Sequence, residues 1–82
     1  MKVEHDTGRD VVYFSFSTAD STRQVRLDAR RIVDYGADGA AVGVEFLSPS
    51  RGIDLPGLPR AAEIEREARR LGLVIRLPAS AA

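Results

Sequence analysis

Over residues 1–47, apolar and polar side chains alternate with a period of two, and turn-forming residues interrupt them at short intervals, which predicts strands. "MKVEH" places Met1, Val3 and His5 on one face and Lys2 and Glu4 on the other. "TGRD" then turns the chain. "VVYFSFS" is dense in β-forming residues, with Val12, Phe14 and Phe16 on one side and Val11, Tyr13 and Ser15 on the other. After the polar loop "STADST", the segment "RQVRLD" sets Val25 and Leu27 against Gln24, Arg26 and Asp28. "RIVDY" and "AVGVEFL" complete five candidate strands, and connections this short imply an antiparallel β-meander.

The pattern changes at residue 48. The stretch "SPSRGIDLPGLP" holds three of the four prolines, cannot extend a central strand and reads as a connector over 48–58. Beyond it, Ala61, Ile64, Ala68 and Leu71 recur along one stripe, which predicts a helix over 59–71 with Pro59 at its first position and Gly72 at its stop. Glu65 and Arg69, four apart, support it from the solvent side by about 0.2–0.5 kcal/mol. "LVIRL" forms a short strand over 73–77, paired either within the chain or with a second subunit, before the small-residue tail 78–82. The expected fold is α+β: one domain over 1–82, an antiparallel meander of about five strands followed by a C-terminal helix and a short final strand.

The segment "DYGADGAAVGVE", Asp34 to Glu45, partly satisfies a calcium-loop pattern through Asp34, Asp38, Gly39 and Glu45. Its flanks alternate with period two where an EF-hand needs helices. Gly36 and Val42 also stand at two ligand positions and offer no side-chain oxygen. Asp38-Gly39 instead suits a two-residue type I′ hairpin turn. In that register Tyr35 faces Val42, Asp34 faces Gly43, Val33 faces Val44 and Ile32 faces Glu45. Val33, Tyr35, Val42, Val44 and Phe46 then share an apolar face, and Asp34, Gly43, Glu45, Ile32 and Leu47 share the other. Asp34 and Glu45 become diagonal neighbours roughly 7–8 Å apart at Cα, close enough to share a cation. A metal or an arginine could fill that role, with Arg26, Arg30 and Arg31 nearby.

Composition narrows the function classes. The 82 residues carry twelve Lys and Arg against twelve Asp and Glu, so no net field favours nucleic acid or an anionic membrane. The N-terminus is charged instead of opening into an apolar run, which points to a cytoplasmic protein. With no cysteine there are no disulfides and no thiolate sites. A chain of this size buries only about 60% of its unfolded surface, and small folds without such staples often gain core by oligomerising.

"MKVEHD", "VVYFSFS" and "IVDYGADGAAVGVEFLSPS" together resemble the small bacterial family of unknown function DUF2283, whose members open with a similar "MKxxYD" strand and carry a "LDYDxDGxxVGIEI" hairpin. The matching positions are Asp6, Tyr13, Asp34, Tyr35, Asp38, Gly39, Val42, Gly43 and Glu45, and the resemblance covers about residues 1–51. His5 departs from it where an aromatic is usual, and Gly36 where an acidic residue is common. The resemblance implies the fold and brings no established activity. A setting beside a toxin-like partner is one hypothesis for such families.

No catalytic constellation is assembled by spacing. His5, the single histidine, falls in phase with Met1 and Val3 and reads as a half-buried strand residue. Ser15, Ser17, Ser21 and Thr22 belong to a strand and its turn and close local hydrogen bonds. No cofactor motif is present, and the mixed charges of the helix do not form a phosphate-reading stripe. What stands out is an apolar surplus, because one helix covers one sheet face and leaves Val11, Tyr13, Ile32 and Leu47 on the other. The expected function is a non-catalytic, homodimeric protein-interaction module, joined through this face or by exchange of the final strand. The alternatives are an antitoxin-like neutraliser of a protein partner and a cation or small-ligand site at Asp34 and Glu45.

Overall fold

The computed structural model describes residues 1–76, and the predicted tail 78–82 and the end of the predicted final strand lie outside them. The chain divides into two compact units, Met1–Ser48 and Pro49–Ala82, close to the composition shift.

The first unit is a five-stranded antiparallel sheet of β1 (Lys2–Asp6), β2 (Val11–Ser15), β3 (Arg23–Asp28), β4 (Arg31–Tyr35) and β5 (Ala41–Leu47), in spatial order β1-β2-β5-β4-β3. Strands β3, β4 and β5 form a meander, and the β1–β2 hairpin adds to its β5 edge. The loop 16–22 therefore crosses two strands, a span of about 14 Å that seven extended residues can cover. Val12, Phe14, Val33, Val42, Val44 and Phe46 are buried on one face, with Phe14 and Phe46 edge-to-face at 5.6 Å. On the β3 edge the Arg23 guanidinium lies 4.7 Å over the Tyr35 ring.

The β4–β5 turn differs from the two-residue type I′ expectation. Gly39 N–H donates to Gly36 O at 3.0 Å and Gly36 N–H to Ala40 O at 2.9 Å, closing a three-residue loop with Gly39 at φ +86°. Such a loop alone would slip the register by one. A second irregularity compensates: Tyr35 pairs with Ala41, Asp34 with Gly43, and Val42 is the extra residue. From Asp34↔Gly43 through Ile32↔Glu45 the register is the one that the hydrophobic pattern demands. Loop geometry and burial made separate demands here, and two bulges satisfy both. A Cβ at Gly36 would meet Val42 Cγ1 tightly, at 3.2 Å, and make ordinary contact with the Asp20 carbonyl of the crossing loop at 3.6 Å.

The second unit contains a 3-10 turn (Pro49–Arg51), β6 (Ile53–Asp54), α1 (Ala61–Arg70) and β7 (Ile75–Arg76). The predicted connector is not structureless, since β6 lies inside it and pairs in parallel with β7 of the same chain. Its brevity hid it; two residues between prolines carry no periodicity. The helix begins two residues after Pro59, because Arg60 takes a left-handed conformation (φ 54°) and turns the chain into it, its guanidinium held by Glu63 at 2.8 and 2.7 Å. Ile64 and Ala68 are fully buried, whereas Leu71 is exposed at the helix end. Gly72 N–H to Arg69 O and Leu73 N–H to Ala68 O close a Schellman stop with Gly72 at φ +77°. Glu65 and Arg69 pair at 3.0 Å as their spacing predicts.

Candidate interaction face

Antiparallel register places side chains from all five strands in continuous rows across the sheet. On the face opposite the buried phenylalanines, one row runs Glu4, Tyr13, Glu45, Ile32, Arg26, each directly opposite the next. The adjacent row is Lys2, Ser15, Gly43, Asp34, Gln24, and a third contains Asp6, Val11 and Leu47. Val11, Tyr13, Ile32 and Leu47 thus share one face, and each is only half-buried.

At the centre of this face Tyr13 leans from β2 across β5 to β4. Its hydroxyl donates to Asp34 Oδ2 at 2.9 Å. The ring crosses Gly43, and a Cβ built there would overlap the Tyr13 hydroxyl and ring. Gly43 is therefore the floor of the tyrosine's seat, an aromatic covering a backbone that has no side chain of its own. Asp34 is 8% exposed, and its Oδ1 is buried and takes no donor among the described residues. The tyrosine hydroxyl is thus the polar contact that compensates this carboxylate. Burial, then the hydrogen bond to Asp34, then the negative charges of Asp34, Glu45 and Glu4 all push the Tyr13 phenol above its ordinary range, so it stays a donor.

The charges on the face divide into two groups. Lys2 pairs with Glu4 at 3.5 Å, Asp6 with Arg9 at 3.8 Å, and Asp34 with the Tyr13 hydroxyl. Glu45 has no ion pair among the described residues, although Tyr13 and Ile32 flank it across the sheet and Gly43 and Leu47 along its strand. Arg26 likewise has no carboxylate partner there, its Nη1 donating to the Asp28 and Ala29 carbonyls at 3.3 and 3.2 Å.

Asp34 and Glu45 do share this face, but Tyr13 stands between the solvent and Asp34, and no group of three or more potential metal-ligating side chains occurs among the described residues. His5 lies in phase with Val3 and opposite Val12, yet it is exposed rather than half-buried, because β1 is an edge strand with nothing beyond it in the sheet. Ser15 and Ser17 close local bonds, to Ser17 O at 3.2 Å and from Ala19 N–H at 3.1 Å. The sequence pattern places Asp34, Gly43 and Glu45 on one face but does not place Tyr13 over Gly43, since that seat depends on β2 pairing with β5.

Comparison with known proteins returns no match to a family model, a curated protein or a solved structure. No helix among the described residues is long and apolar enough to cross a membrane.

Proposed function

We propose that this chain is a non-catalytic protein-interaction module that forms a homodimer through the sheet face bearing Val11, Tyr13, Ile32 and Leu47. The observation that carries the proposal is the placement of these four apolar side chains on one face, each half-buried, with Tyr13 among them already fixed by a hydrogen bond. A tyrosine held in one position loses little freedom on association, and it offers both an apolar ring and a polar edge to a partner. Association would also supply apolar burial that so short a chain has difficulty providing alone. The β6–β7 pairing within the chain supports the face over strand exchange as the means of association. The DUF2283 resemblance is compatible with this reading and rests on the hairpin residues that build the face.

Leu47→Asp tests the proposal, because it puts a charge in the patch at a position already partly exposed. Light scattering should give twice the chain mass for the parent protein and a single chain mass for the variant, with an unchanged circular dichroism spectrum. Equal masses for the two would refute the assignment of the face.

A further inference from the structure

The β4–β5 hairpin tip joins Asp38 to Gly39, both exposed. A main-chain nitrogen that follows an aspartate can attack the side-chain carboxyl carbon. The new N–C bond closes a five-membered succinimide, and the amide proton leaves with the carboxyl hydroxyl as water. Hydrolysis returns one water, and opening at the α-carbonyl leaves an isoaspartate whose main chain runs through the β-carbon. Mass is unchanged, and no reactant besides water is needed. Glycine makes the step easiest because no side chain crowds the ring. Yet the loop requires this pair. Gly39 sits at φ +86°, where an L side chain is strained, and Asp38 Oδ1 accepts from Ala40 N–H at 3.0 Å, the local bond that favours aspartate in turns. The residues that build the turn are therefore the ones that make its peptide bond labile.

We infer that Asp38 is a latent isoaspartate site that the closed hairpin tip holds shut, so that the modification proceeds only when the tip opens. Attack requires the Gly39 nitrogen to give up its proton and the Asp38 carboxyl to turn onto that nitrogen. Both groups are engaged in the fold. Gly39 N–H donates to Gly36 O at 3.0 Å, and the Asp38 carboxylate reaches past Gly39 to the amide of Ala40. Gly36 N–H, donating to Ala40 O at 2.9 Å, closes the loop around them. Each of these bonds must break before the ring can form. The change would also matter structurally, because it adds a main-chain carbon to a loop whose length is matched by the bulge at Val42. The inner pairing of Asp34 with Gly43 depends on that match.

Incubation of the folded chain, the chain unfolded in urea and a synthetic peptide of residues 32–51 at one neutral pH and temperature tests the inference. Trypsin releases the same fragment from both protein samples, since Arg31 and Arg51 bound it. Chromatography with electron-transfer fragmentation then reads isoaspartate at position 38. Asp34, followed by the bulky Tyr35 in the same fragment, is the internal reference and should stay unmodified. The peptide and the unfolded chain should isomerise at similar rates, and the folded chain about tenfold or more slowly, as a tip that must first open demands. Amide exchange at Gly39 should be slowed in the folded chain as well. A folded chain that isomerises as fast as the peptide would overturn the inference. So would slow isomerisation with a Gly39 amide that exchanges at the peptide's rate, because the protection would then not come from the bonds of the tip.

Discussion

The Tyr13 hydroxyl reaches Asp34 Oδ2 at 2.9 Å by passing over Gly43, tying β2 to β4 across the intervening β5. One contact therefore links the two hairpins of the sheet and shapes the exposed face. Its three residues come from separate strands, so each constrains what the others can be.

Gly43→Ala should unseat Tyr13, because the new Cβ occupies the place of its hydroxyl. The buried Asp34 carboxylate then loses its donor, and a loss of about 1–3 kcal/mol follows. Urea unfolding measures it. In the Tyr13→Ala background the same glycine substitution should cost clearly less, since the clash is gone, and a double-mutant cycle reads that coupling.

Alkaline titration should show a second consequence. The Tyr13 pKa is raised in the folded state, so the folded chain keeps a proton that the unfolded chain releases. That contribution to stability is fully present below about pH 10, the ordinary tyrosine value, and is lost as pH rises from there through the folded value. Tyr13→Phe should remove this part of the alkaline destabilisation. Asp34→Asn should bring the Tyr13 transition, followed by phenolate absorbance, back toward the ordinary range.

At the hairpin tip, Gly39 has φ +86° and open space where a side chain would lie. Gly39→Ala should thus destabilise through the backbone alone, by about 1 kcal/mol, whereas Gly39→Asn should cost less because asparagine tolerates this conformation. Thermal unfolding of the two variants separates them.

Ile53, fully buried in β6, should be among the costliest positions in the second unit. Ile53→Ala is expected to lose about 2–5 kcal/mol. In a chain of this size that is a large share of the total stability, and denaturant titration should find a substantial unfolded fraction under mild conditions.

Much of this arrangement can be read from the residues. Period-two alternation located all five sheet strands, and the need to keep Val33, Val44 and Phe46 on one face set the pairing of Asp34 with Gly43. The loop at Asp38-Gly39 escaped because a turn can take a third residue if the strand absorbs a bulge, and Val42 does so without disturbing the inner register. β6 and its pairing with β7 were equally hidden, being set by tertiary contact and not by pattern. The candidate face was visible as Val11, Tyr13, Ile32 and Leu47. Its organisation was not, since Tyr13 meets Gly43 and Asp34 only once β2 lies beside β5.

Self-association is the central claim, and its most direct test is the mass of the unmodified protein in solution. Sedimentation equilibrium at tens of micromolar should give twice the 8.9 kDa chain mass, with dissociation on dilution. A mass of 8.9 kDa that does not change with concentration would contradict the account.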